Sequence, residues 1–350
     1  MLLLAGPTNA QTVIKIATIA PEGSSWMKEM RAGGKEISKR TEGRVQVKFY
    51  GGGVMGNDQK VQRKMRIGQL HGGAFTSGAL AERYGNIQIY SLPLLFRNFA
   101  EVDYVRERMD AKLAMGLADA GLVTFGFSEG GFAFFMANEP LRVLDDLKNR
   151  KVWVPEGDQI SYAAMKKFGL TPVTLPLTDV MTGLQTGLID VVASSPVGAL
   201  ALQWHTKIKY VTEIPLTYIV AMLAIEKRVF EKLRREDQAV FREVMERVYT
   251  KFNASNRVSN EQAARAMMAN QITFVQASDG EFERWTPGAK ELYGEIVGAD
   301  FISHEILSEV QAYLDHYRSY VAPKLGEQVV AEQLQKQSAD QPIPAVATTP

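Results

Sequence analysis

Short runs of β-branched and aromatic residues alternate along this chain with stretches whose apolar positions recur every three or four residues. The first pattern suits buried strands, the second amphipathic helices that cover them. IKIATIA (14–20) is a run of the first kind; after it Trp26, Met30, Gly33 and Ile37 share one helical face, and Gly43 closes the segment. VQVKFY (45–50) predicts the next strand, and Asn57 and Asp58 then cap a helix that carries Val61 and Met65 and stops at Gly68. GGAFTS (72–77) follows as a third strand. This βαβαβ order implies a mostly parallel sheet covered by helices.

A second unit begins near residue 140. KVWVP (151–155) is a strand, 158–168 reads as a helix with Ile160, Ala164 and Phe168 inward, and Gly169 ends it. TPVTL (171–175) is another strand; Thr178 is expected to cap a helix with Val180, Leu184 and Leu188 on one stripe, and LIDVVAS (188–194) returns to strand. Two α/β units, each with its own sheet, leave a cleft between them. From about 227 to 270 the pattern is helical throughout, as two helices broken near Asn253–Asn256 or as one long helix spanning both units. Tyr218–Ile225 suits a buried strand.

A chain of 350 residues can bury a large core and suggests about two domains. Its 40 basic and 39 acidic residues nearly cancel and are scattered, which argues against a nucleic-acid partner. The absence of cysteine removes disulfides, thiolate catalysis and cysteine metal sites, and fits an oxidising bacterial periplasm. No apolar run approaches the roughly 20 residues needed to cross a bilayer, so no membrane insertion is expected. Residues 1–12, opening MLLLAGPTNA, are similar to the end of a signal peptide and are read as a residual leader. They lack a basic opening segment, so a short disordered apolar terminus stays open. Residues 326–350, rich in Gln, Ala and Pro, are expected as a disordered tail.

Gly51, Gly53 and Gly56 spell G-x-G-x-x-G between strand and helix, the pattern that cradles a dinucleotide. Three features argue against that use. No acid appears in AFTSGAL (74–80), where the ribose-binding carboxylate should stand. Asp58 sits where the pyrophosphate would dock. The motif also follows the second strand of its unit, not the first. The glycines are read as a turn, and no cofactor is expected. No nucleophile elbow, zinc-protease helix or phosphate loop occurs, and His71, His205, His304 and His316 are far apart. Asp145 and Asp146 read as a turn and helix cap. Nothing asks for a catalytic residue or a metal.

Several segments, taken in order, carry a resemblance. They are APEGSSW (20–26), GGGVMGND (51–58), IGQLHGGAFTSG (67–78), YSLPLLFRN (90–98), GFSEGGFAFFMAN (126–138), DDLKNRKVWVPEGD (145–158) and GLQTGLIDVV (183–192), followed by the long helix. Over about residues 13–320 the chain resembles the DctP-type solute receptors of TRAP transporters. The resemblance implies two α/β domains with mixed sheets around a central cleft, in the manner of type II periplasmic binding proteins, bridged by a long helix. Domain 1 would comprise 13–130 plus about 222–255, and domain 2 would comprise 131–221 plus about 256–325. It further implies a periplasmic receptor that delivers a small molecule to transporter membrane subunits, closing about a hinge at 124–138 and 211–225.

The family pairs a ligand carboxylate with an arginine in a "kiRvp" strand; the corresponding residue here is Trp153, and a second family arginine corresponds to Ala133. Arg150 lies before the strand and is expected to be exposed. The usual clamp is therefore missing, and a simple carboxylate ligand is in doubt. Trp153, Glu156 and Asp158 cluster instead at a strand's C-terminal end, where open α/β sheets place ligands. Ser194 and Ser195 end another strand, Ser77 ends a third, and Glu22 with Trp26 follows the first; Trp204 and Tyr218 are later candidates. An aromatic wall with carboxylates suits a neutral ring, a polyol or a cation. Two rival readings are a sensor that reports ligand to a signalling protein and, on the glycine turn alone, an NAD(P)-dependent oxidoreductase.

Overall fold

A computed structural model describes residues 11–299 and 301–325. Of the expected leader, residues 1–10 lie outside the described residues while Thr12 already opens the first strand, and the expected tail lies outside them. The chain runs β1 (Thr12–Ala17), α1 (Ser25–Arg40), β2 (Val45–Tyr50), α2 (Asp58–Arg66), β3 (Gly72–Thr76), α3 (Phe99–Asp119), β4 (Leu122–Thr124) and β5 (Ser128–Ala137). It continues with β6 (Lys151–Pro155), α4 (Gln159–Lys167), β7 (Thr171–Leu175), α5 (Val180–Thr186), β8 (Val191–Ser194), α6 (Pro196–Ala201) and β9 (Tyr210–Glu226). The last elements are α7 (Lys227–Phe230), α8 (Arg235–Ala269), β10 (Thr273–Val275), α9 (Glu281–Gly298) and α10 (His304–His316).

Caps and local periodicity explain most boundaries. Ser24 and Asn57 accept backbone N–H bonds at the starts of α1 and α2, and Asn98 does so for α3. Met27, Met30 and Ile37 of α1 are buried against β1, β2 and α8, where they form one apolar cluster with Ile14, Phe49 and Met245. Two expectations need correcting around α5. Thr178 does not cap it: the cap position is Asp179, and the Thr178 hydroxyl donates instead to the Asp179 carboxylate. The helix ends at Gly187 in the left-handed region, so Leu188 falls beyond it and is 49% exposed while Ile189 takes the core position.

The sheet corrects the expectation of two separate sheets. Its order is β2-β1-β3-β9-β5-β8-β6-β7, one hydrogen-bonded path, with β4 and β10 also paired to β9. β1 is parallel to β2 and β3, and β6 is parallel to β7 and β8, as the two βαβ patterns imply. The long β9 is antiparallel to β3 through Ala221–Ile225 and to β5 along Tyr210–Ala221. Two crossing strands thus weld two α/β halves at the middle. Each half still has helices over its own part of the sheet, so the fold is mixed α/β with two α/β domains about a central cleft.

The long helix settles one open alternative. α8 is unbroken from Arg235 to Ala269. Phe241, Met245 and Phe252 sit in the cluster with α1, whereas Met267 packs with Trp204 and Val211 of the other half. Asn253, Asn256 and Asn260 do not interrupt it; they project onto the crossing. Asn253 accepts from the Glu129 N–H and donates to the Phe127 carbonyl at 2.9 Å each. Asn256 donates to the Glu129 carbonyl, and Asn260 donates to that of Gly130.

Candidate functional site

Between the halves lies a cavity of about 320 Å³, at the small end of the range for ligand pockets. It sits where strands of both halves end. Thr76, Ser77 and Gly78 approach from the end of β3, Asn57 and Asp58 from the start of α2, and Trp153 to Glu156 from β6. Ser194 and Ser195 bring in β8 and the N-cap of α6; Ala133, Thr217 and Ile219 form its back from the crossing strands.

Trp153 is the central aromatic. It is only 6% exposed, meets Trp204 edge-on with ring centroids 5.2 Å apart, and donates its indole N–H to the Leu175 carbonyl at 3.0 Å. It therefore belongs to the core of its half and to the cavity wall at once. The polar wall is largely pre-bonded. Ser77 and Ser91 share a hydroxyl–hydroxyl bond of 2.7 Å, Thr217 donates to the Ser91 carbonyl, and Ser195 accepts from the Gly198 N–H. Asp158 caps α4, accepting from the backbone and hydroxyl of Ser161 at 2.9 and 2.7 Å.

The two halves touch across the cavity mouth. Asn57 donates its amide to Glu156 at 2.7 Å. A side chain on Gly53 would lie 3.2 Å from Thr178, and Gly53 also has a φ of +71°, so both space and conformation call for glycine there. Gly53 and its neighbours thus form a turn that seats against the opposite half. Beside them Asp58 is lifted to about 6, first by burial and then by the Glu156 carboxylate. Burial likewise raises Asp158, against the bonds from Ser161.

Of the residues expected at the site, Ser77, Trp153, Glu156, Ser194, Ser195 and Trp204 line the cavity. Three do not. Glu22 is carried outward by the turn after β1 and pairs with Arg31 in solvent at 2.6 Å. Trp26 stacks on Phe252, with centroids 6.0 Å apart, away from the cleft. Tyr218 is 1% exposed; strand alternation sends Thr217 and Ile219 to the cavity and turns Tyr218 to the other face, where its hydroxyl donates to Glu129. Arg150 pairs with Glu139 and does not reach the site. The sequence reading missed Ser91, Thr217 and Thr178 as wall residues and took Asn57 and Asp58 only as caps. The two caps follow a strand's C-terminal end, and that rule could have found them.

No Lys, Arg or His lines this cavity among the described residues. Nor do three His, Asp or Glu side chains among them gather closely enough to hold a metal.

Residues 16–300 match the family model DctP, described as bacterial extracellular solute-binding protein, family 7. The chain belongs to the DctP family. Its relatives include the C4-dicarboxylate-binding periplasmic protein DctP of Rhodobacter capsulatus, 22% identical over 281 residues, with 78% of this chain and 82% of the relative covered. Among solved structures, a TRAP periplasmic solute-binding protein of Xanthobacter autotrophicus with bound β-D-galacturonate superposes with a TM-score of 0.79 at 21% identity, covering 86% of this chain and 99% of that one. The sugar acid binding protein of Advenella mimigardefordensis in complex with galactonate gives 0.80 at 20% identity, covering 87% and 98%. At these identities the structures establish the shared DctP-family fold. As in the sequence, no helix among the described residues is long and apolar enough to cross a membrane.

Proposed function

We propose that this DctP-family chain captures a small solute in the cleft between its halves and delivers it, in the periplasm, to the membrane subunits of a TRAP-type transporter. The observation that carries this reading is a small-molecule cavity walled by both halves, whose mouth is bridged by the Asn57–Glu156 hydrogen bond. Domain 1 is taken as 13–130 plus about 222–255, domain 2 as 131–221 plus about 256–325. β5 and β9, which cross between them, serve as the hinge. No residue is assigned a catalytic role and no cofactor is invoked.

The solute is not a simple carboxylate. The structures with galacturonate and galactonate hold acids, but on the sequence resemblance Trp153 and Ala133 stand where the family pattern has arginine, and both line this cavity. A buried carboxylate ligand would here meet Glu156 and Asp158 with no guanidinium to offset them.

A thermal-shift screen of neutral, cationic and acidic metabolites tests the reading, because a ligand at 100 times its dissociation constant adds about 2.7 kcal/mol of stability. Small-angle scattering at saturation with any hit should give a radius of gyration no larger than that of the unliganded protein and a narrower conformational spread. A screen with no hits, together with scattering indifferent to every compound, would refute a receptor role.

A further inference from the structure

Two independent features of the cavity wall point to the charge of the solute. The first is the use of the helix N-termini that open onto it. Such an end carries partial positive charge and free N–H groups, which is where a ligand carboxylate docks. Here Asp58 is the first residue of α2 behind the Asn57 cap, and Asp158 is itself the cap of α4. Both of these positive ends are thus already met by the protein's own acids, and at the third end on the cavity, the start of α6, the Val197 and Gly198 N–H groups are taken by Asn260 and Ser195.

The second is the missing counter-charge. Asp58, Glu156 and Asp158 all reach the cavity, and no basic side chain does among the described residues. Glu156 has the Asn57 amide and Asp158 has Ser161, both neutral donors. The Asp58 carboxylate has no hydrogen-bond or ion-pair partner among the described residues, and the charge that acts on it is Glu156, of the same sign. Closing the cleft brings these two acids together, which costs energy unless something positive lies between them.

We propose that the cleft takes a small organic cation, an amine or quaternary ammonium compound, with its charged head against Asp58 and Glu156 and its apolar body against Trp153 and Trp204. This rests on the solute-receptor reading and narrows its ligand class. A metal dication does not suit the wall, because no three acids among the described residues converge closely enough to hold one. A neutral polyol would find hydrogen-bond partners but leave the charges uncompensated. An ammonium group compensates them, and its weakly hydrated alkyl substituents suit aromatic surface.

Calorimetry and thermal shift on the whole chain compare choline with its uncharged tert-butyl isostere, hexylamine and putrescine with hexanol, and succinate and galacturonate as acids. At least one ammonium compound should bind, with its uncharged counterpart at least about tenfold weaker. Asp58→Asn and Glu156→Gln should each weaken that binding by about tenfold or more, with an unchanged circular dichroism spectrum as evidence of folding. The inference is overturned if the uncharged or acidic compounds match or exceed the ammonium ones, if no ammonium compound binds at millimolar concentration, or if both variants retain full affinity. When a neutral or acidic solute binds and no ammonium compound does, the receptor reading stands and only the cation assignment fails.

Discussion

The side-chain amide of Asn57 donates to the Glu156 carboxylate at 2.7 Å, joining the start of α2 to the end of β6 across the cleft mouth. The same Asn57 uses its carbonyl oxygen to accept the Lys60 N–H as the cap of α2. One residue therefore fixes a helix start and bridges two halves.

These two roles can be separated. Asn57→Asp keeps the cap acceptor but replaces the donor with a carboxylate facing Glu156. The unliganded protein should open, with a measurable rise in radius of gyration by small-angle scattering, while helix content stays constant. Adding Glu156→Gln should bring the radius back. An Asn57→Asp protein of unchanged radius would mean that this bond does not hold the closed form.

Trp153 is core and cavity wall together, so its loss should register in both properties. Trp153→Ala is expected to cost about 3–5 kcal/mol in urea unfolding, the range for a buried aromatic truncated to alanine. Trp153→Phe should cost far less, because the Leu175 carbonyl still accepts the Glu156 N–H at 3.2 Å and is not orphaned. Equal losses for the two variants would contradict this account.

Asp58 gives a signed pH dependence. Its carboxyl is raised from 3.8 to about 6, by burial first and by Glu156 second. A carboxyl raised in the folded state is destabilising when ionised: the cost is full above pH about 6 and disappears below 3.8, where folded and unfolded chains are both protonated. Asp58→Asn should therefore be more stable than the parent at about pH 8. The difference should shrink as the pH falls through that window. Paired urea titrations at both ends of the window measure it; a constant difference would show that the ionised carboxylate is not what costs stability.

At the crossing strands, Glu129 is buried and accepts from the Arg257 Nε at 3.0 Å and from the Tyr218 hydroxyl at 2.8 Å. Arg257 comes from the middle of α8 and also pairs with Asp103. Arg257→Met would leave a buried carboxylate without its cation and should cost about 3–5 kcal/mol. Combining it with Glu129→Gln should recover most of that loss. A double variant no more stable than Arg257→Met alone would rule out the buried charge as the cause.

The sequence by itself determined the local parts of this protein. VQVKFY, KVWVP and TPVTL appear as strands over the residues expected, because β-branched and aromatic residues favour a pleated buried surface wherever that surface lies. The Asn57 cap was legible for a similar reason, since its partner is the N–H three residues on. The order of segments was enough to indicate the family, and the rule that ligands sit at strand C-terminal ends reached six of the wall residues.

Tertiary structure decided what depends on residues distant in sequence. Two sheets became one because Ser128 pairs with Ala221 and Gly73 with Ala224, and neither pairing leaves a periodic mark in the chain. Glu22, Trp26 and Tyr218 stand near strands in sequence but leave the cleft by an outward turn, a stack on α8 and the alternation of β9. Asp58 read locally as a helix-start acid. Only the fold sets it against Glu156, by bringing together segments whose bridging residues, Asn57 and Glu156, are 99 positions apart. Short-range preference fixes an element, whereas the charge of a cavity is fixed by which elements meet there.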